Sequence, residues 1–229
     1  MRNILTILTA IAVVAVLGVA AMEYFPGPSS DQQAGQPATS PAAPAAVAAK
    51  AAPVEIGADE FIIGDVKAPV TIIEYASLTC PHCANFHVNI LPKLKKSYID
   101  TGKARLVYRD FPLDRLALSG SMMARCAGRE RYFGFIDTMY RKQESWKAAK
   151  DQVKALARIG LLGGISETDF DACMEDKALE DRVMKMRLDA QNDFAIDSTP
   201  SFIINGKKYS GVVDFARFEE FLEPLLKQQ

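Results

Sequence analysis

Residues 70–83 read VTIIEYASLTCPHC, and the interpretation of this stretch decides the fold. Its first part, VTIIEYAS (70–77), is mostly apolar and rich in β-branched residues, the pattern of a strand buried on both faces. Glu74 interrupts it, and is either a solvated edge residue or a buried group with a job. Thr79, Cys80 and Pro81 follow at once. Proline suits the first turn of a helix, where no intrahelical N–H is needed, so Pro81 predicts a helix start with Cys80 at or beside its N-cap. A Cys-X-X-Cys pair therefore sits where a strand hands over to a helix.

Working outward, EFIIG (60–64) predicts a short strand before this one. Phe86, Ile90 and Leu94 recur at helical spacing after it, with Pro92 a kink and Gly102 the stop. ARLVYRDFP (104–112) predicts the next strand. From about 116 to 192 the pattern is helical almost throughout, with Ser166 and Asp169 in a capping arrangement. TPSFIING and KKYSGVV form a hairpin across Asn205-Gly206. Asp214 then caps a last helix with Phe215, Phe218, Leu222 and Leu225 on one face. The order strand, strand, helix, strand, helical block, hairpin, helix predicts an α/β unit with a helical insertion.

The whole chain has 229 residues, 49% apolar and 24% charged, with 27 basic against 28 acidic side chains. That balance lacks the basic excess of a nucleic-acid binder. Residues 1–25 form a signal peptide or membrane anchor: Arg2 precedes an uncharged run from Ile4 to Met22, and Tyr24 and Phe25 suit the far interface. Gly18-Val19-Ala20 offers a small-residue cleavage pattern, so both outcomes stay open. The next stretch, Ala34 to Pro53, is 14 Ala or Pro out of 20, and residues 26–53 are expected to be a disordered tether. Residues 54–229 are expected to fold outside the cytoplasm, in the periplasm, either free or tethered by residues 4–22.

All four cysteines, Cys80, Cys83, Cys126 and Cys173, lie in that part. Four thiols allow three pairings; the short 80/83 spacing favours 80 with 83 and 126 with 173, and two unbonded thiols at 126 and 173 remain an alternative. Four chemistries fit Cys80 and Cys83. Structural zinc usually takes two such pairs, whereas Cys126 and Cys173 are isolated and His82 lies inside the pair. Haem attachment needs His after the second cysteine, and position 84 is Ala. A bond across two residues constrains the unfolded chain little, which weakens an inert staple. The redox reading uses every neighbour: a helix N-terminus favours thiolate, and His82 would add to the effect. His87 is read as a bystander on the helix. Met122, Met123, Met184 and Met186 are read as core or a greasy surface rather than copper ligands.

The stretch APVTIIEYASLTCPHC, the helical block and STPSFIING resemble the DsbA family of exported, thioredoxin-fold thiol-disulfide oxidoreductases, over residues 59–229. The resemblance implies a thioredoxin-like fold with an inserted helical domain. It makes Cys80 the exposed nucleophile and Cys83 its partner, with Pro81, His82 and Glu74 as modulators. Glu74 matches a buried acid able to exchange a proton with Cys83. Thr199 and Pro200 match the cis-proline loop that pairs with substrate. Val, rather than Thr, precedes that proline in the best-known strongly oxidising members, so Thr199 bears on oxidising strength. Cys126 and Cys173 are similar to an extra disulfide of the alphaproteobacterial branch. The implied activity is disulfide donation to folding exported proteins by a monomer. It uses no cofactor or metal and is reoxidised by a membrane quinone-linked thiol oxidase. A disulfide isomerase or reductase, and a copper carrier using the same cysteines, are the alternatives.

Overall fold

The computed structural model describes residues 54–211 and 214–228. Residues 1–25 and the Ala/Pro-rich tether at 26–53 lie outside the described residues. No helix among the described residues is long and apolar enough to cross a membrane.

Five strands form one mixed sheet: β1 (Phe61–Ile63), β2 (Val70–Ala76), β3 (Ala104–Asp110), β4 (Ser201–Ile204) and β5 (Lys207–Ser210), in the order β1-β3-β2-β4-β5. β2 is central, parallel to β3 and antiparallel to β4, with Ile72 opposite Leu106 and Ile204. That placement accounts for its apolar run. β1 is antiparallel to β3, and β5 pairs with β4 through a turn in which Asn205 and Gly206 both take positive φ. Asn and Gly are the residues that tolerate this geometry.

Alternation along β2 points Val70, Ile72 and Glu74 to one face and Ile73 and Tyr75 to the other. α1 covers the first face as a helical run from Pro81 to Ile99, in the successive segments Pro81–Asn85, Phe86–Ile90, Leu91–Leu94 and Lys95–Ile99. The second and fourth segments are wound wider than an α-helix, and the Leu91 amide reaches back to the Phe86 carbonyl. This widened turn relieves the clash that Pro92 would make with the carbonyl four residues earlier. Phe86, Ile90, Leu94 and Tyr98 pack with Phe218 and Leu222 of the last helix, α8 (Phe215–Leu226), whose N-cap Asp214 accepts from the Arg217 amide at 2.8 Å.

Six helices connect β3 to β4: α2 (Arg115–Cys126), α3 (Tyr132–Arg141), α4 (Gln143–Lys147), α5 (Gln152–Leu162), α6 (Glu167–Glu175) and α7 (Lys177–Phe194). Ser166 caps α6 through the Asp169 amide. Cys126, ending α2, is disulfide-bonded to Cys173 in α6, with Cα atoms 6.2 Å apart. The helical insertion also completes the core of the α/β unit. The second half of α7 lies against the sheet: Ala190 and Phe194 join Ile73, Tyr75, Val107 and Ile203 in one cluster. Without α7 the second face of the sheet would stand open.

Candidate active site

Cys80 closes the β2–α1 junction in extended conformation, and Pro81 opens the helix. Its amide donates to the Ser77 carbonyl and its carbonyl accepts from Ala84, so the junction is fixed from both sides. Both cysteines carry free thiols in this structure. Across from them the Thr199–Pro200 bond is cis, and Cys80 Sγ donates to the Thr199 carbonyl at 3.2 Å. The loop is held by Ser201 Oγ, which donates to the Ser198 carbonyl at 2.8 Å.

The two sulfurs differ in environment. Cys80 is lowered from an ordinary value of 9.0 to about 5, chiefly by a hydrogen bond from Cys83, against the opposing effect of burial. The Thr199 side chain and the amides of Cys83 and His82 add to the lowering. Burial pushes Cys83 well up, and its bond to Cys80 and the charge of Glu74 push the same way. The Thr199 hydroxyl is buried and unpartnered while Cys80 is a thiol. Ionised sulfur gives that hydroxyl an acceptor, which is how an orphan donor comes to favour thiolate.

Three sequence expectations are corrected here. Cys80, expected to be exposed, keeps only 5% of its surface accessible, with its Sγ against the Thr199 carbonyl, and Cys83, packed in the core cluster, keeps none. His82 points its imidazole outward and acts through its backbone N–H rather than its ring. His87 is no bystander: it is buried, and its Nε2 lies 2.9 and 3.1 Å from the two carboxylate oxygens of Glu74. Glu74 itself is fully buried on the central strand, which removes the solvated-edge alternative.

Sequence reasoning passed over two further supports. Gln143 of α4 is buried, and its Nε2 donates to the carbonyls of Leu78 and Cys80 at 2.7 and 2.9 Å. Asp114 caps α2 through the Ala117 amide and also accepts from Thr79 Oγ1 at 2.6 Å. The capping pattern of Asp114 was visible in the sequence; its bond to Thr79 depends on the fold. Deeper in, Tyr140 stacks on His87 at 4.3 Å and its hydroxyl meets that of Tyr108 at 3.0 Å. Asp110 is paired with Arg125 at 2.6 Å and accepts from Ser121. Met186 Sδ lies 3.1 Å from the Asp110 amide, and Met122 and Met123 are buried in the core.

Chemically, the arrangement offers a stabilised thiolate at Cys80, a protonated buried partner at Cys83 and a backbone carbonyl from a fixed loop. The chain is also similar to known proteins. A family model described as thioredoxin matches residues 58–224. The crystal structure of alpha-DsbA1 from Wolbachia pipientis superposes with a TM-score of 0.70 at 34% identity, covering 76% of this chain and 94% of that one. A protein of Rickettsia typhi, provisionally named protein-disulfide oxidoreductase, is 36% identical over 154 residues, 66% of this chain. The alignment spans 57% of the length of that relative. Disulfide bond formation protein D of Bacillus subtilis is 25% identical over 179 residues, covering 72% of this chain and 77% of that protein.

Proposed function

The chain belongs to the DsbA family of thioredoxin-fold proteins, and from that premise we propose that it is an exported thiol-disulfide oxidoreductase donating disulfides to folding secreted or periplasmic proteins. The observation that carries the reading is the asymmetry of the pair: Cys80 sits at the N-terminus of α1 with its Sγ against the Thr199 carbonyl, and Cys83 lies within the helix with no accessible surface, an arrangement that lowers Cys80 to about 5 and raises Cys83. Each unit by which a thiol is lowered favours its ionised form by about 1.4 kcal/mol. A stabilised thiolate makes the bonded form easier to reduce, hence a better donor.

In the proposed cycle a substrate thiolate attacks Cys80 Sγ of the bonded enzyme, the Sγ–Sγ bond breaks, and Cys83 leaves with the electron pair. A second substrate thiolate then attacks the substrate sulfur of the mixed disulfide and expels Cys80, which is already stable as thiolate. The electrons end on the enzyme pair, and a membrane quinone-linked thiol oxidase removes them. The Thr199 carbonyl and cis-Pro200 support a substrate-backbone site beside the sulfur. Export is supported by the uncharged run at 4–22. The protein acts as a monomer.

The test is single-turnover oxidation of a dithiol peptide by the bonded protein, together with its equilibrium against glutathione. Stoichiometric peptide oxidation and a couple more oxidising than glutathione are expected, and Cys80→Ser is expected to abolish turnover. A strongly reducing couple with an unperturbed Cys80 would move the assignment to a reductase. Tight stoichiometric retention of copper by the reduced protein would move it to a metal carrier.

A further inference from the structure

α5 turns a mixed apolar and basic face outward. Its residues Leu156, Ile159 and Gly160 are buried, with Gly160 lying against Met123, Ile165 and Phe170. The opposite stripe, at helical spacing, is Lys154, Ala157, Arg158, Leu161 and Leu162. Leu161 keeps 63% of its surface accessible and Leu162 88%. Val153, one turn and more before them, keeps 50%. Large apolar side chains exposed side by side and rimmed by charge mark a surface that meets a partner.

The charge around those leucines is predominantly positive. Residues 141–164 hold six cations and two acids, in a chain whose 27 cations and 28 acids nearly balance. Of the two acids, Asp151 is occupied as the N-cap of α5 by the Lys154 amide, and of the six cations Arg141 is paired with Asp137. Lys142, Lys147, Lys150, Lys154 and Arg158 form no ion pair with a described residue. A groove of about 330 Å³ between α3 and α5 continues the mixture, with Phe135, Ile159 and Leu162 in its walls beside the exposed Arg131 and Lys142. The acids that follow, Glu167 and Asp169, lie in the first turn of α6, where the positive end of that helix favours them.

We infer that the outward face of α5 docks on the anionic surface of a phospholipid bilayer, with Leu161 and Leu162 entering the acyl boundary and Lys142, Lys154 and Arg158 meeting lipid phosphates. Charge complementarity selects a negative partner. The leucines select a fluid one: they stand out at the end of the helix and enter an acyl layer without a preformed pocket, whereas a protein partner would have to supply one. Docking goes beyond disulfide exchange and takes from that reading only export, which puts the chain at such a surface. Leu156 and Ile159 of the same helix share the core cluster of Cys80 and Cys83. The docked face therefore holds the redox pair in a set orientation over the bilayer, where the proposed quinone-linked oxidase resides.

Hydrogen exchange of the full chain, read by mass spectrometry over residues 150–164, tests the docking apart from any attachment through residues 4–22. Vesicles of phosphatidylglycerol mixed with phosphatidylcholine are expected to slow exchange over this segment, the more so at low salt, and vesicles of phosphatidylcholine alone are not. Each cation near an anionic surface contributes about fivefold to binding, so Lys154→Gln with Arg158→Gln is expected to lower the docked-to-free ratio about 25-fold. Leu161→Ser with Leu162→Ser is expected to lose the slowing as well, because cations alone hold the domain only diffusely. All four side chains are exposed, so both double variants keep the fold, and their exchange over β2 should match wild type. No slowing by anionic vesicles, or equal slowing by neutral ones, overturns the inference. If protein concentration alone or an acidic peptide then slows the segment, the face belongs to a second copy or to a protein partner. Oxidation of a dithiol peptide is read alongside: its loss in wild type removes the proposed activity and leaves the docking standing, whereas failed docking leaves the activity standing.

Discussion

At Cys80 the balance of forces yields a pH rule with a definite sign. A thiol whose folded value is depressed stabilises the reduced fold fully above its unfolded value, ordinarily 9.0, and loses that contribution as pH falls through about 5. Alkylation of reduced protein is therefore expected to show a midpoint of about 5 for Cys80. The stability advantage of the reduced wild type over Cys80→Ser is expected to shrink as pH falls through the same range, read by thermal unfolding. A midpoint near 9 would remove the basis for an oxidant. Pro81 and the pair spacing made this site legible, because both encode backbone position. The contributions of individual neighbours were less legible: His82 acts through an amide that any residue would supply, and Thr199 through a loop 119 residues away in sequence. His87 escaped because helix periodicity says which way a side chain points, not what waits there. The signal available was Glu74, an acid in a strand with no room for an unpaired charge.

Helices around the pair carry the next set of consequences. Gln143 reaches from α4 to two carbonyls of the active-site junction, so Gln143→Leu strands a buried acceptor at Leu78 while Cys80 keeps its bond from Ala84. The expected loss is about 1–3 kcal/mol, the cost of a buried group left unpaired, read as a shift in the urea midpoint at constant slope. A loss within about 0.5 kcal/mol, as for ordinary surface changes, would mean the two bonds are dispensable. Asp114 serves α2 and Thr79 together. Asp114→Ala is expected to cost about 1–2 kcal/mol, at or above a usual N-cap loss, and Thr79→Val only part of that. Equal losses would show that the cap, rather than the tie to the junction, is irrelevant. Caps such as Asp114, Ser166 and Asp214 are readable from sequence since they act within one turn. The return of α7 onto Ile73 and Tyr75 is not, because its mean polarity hides a short apolar stripe that matters only at its far end.

Across the whole molecule the helical block and the redox pair share one core. Cys80, Cys83 and Ala76 belong to the same buried cluster as Phe135, Met139, Trp146 and Leu156. A block joined in this way should not melt ahead of the sheet, so the bond from Cys126 to Cys173 should act on the stability of the entire fold. It closes a separation of 47 residues, for which loop entropy gives about 3 to 4 kcal/mol. Replacing both cysteines by serine is expected to lower unfolding free energy by about that amount in a single transition seen alike by far-ultraviolet dichroism and by Trp146 fluorescence. Two separated transitions would mean that the block folds on its own and that the bond stabilises only that part. Cys173 packs with Leu118, Met122, Leu179 and Val183, a different cluster from the one that holds Cys80, so the same double variant is expected to keep its Cys80 alkylation midpoint at about 5. A midpoint displaced toward 9 would show instead that the bond works through the site, by setting how firmly α2 and Asp114 hold the junction at Thr79.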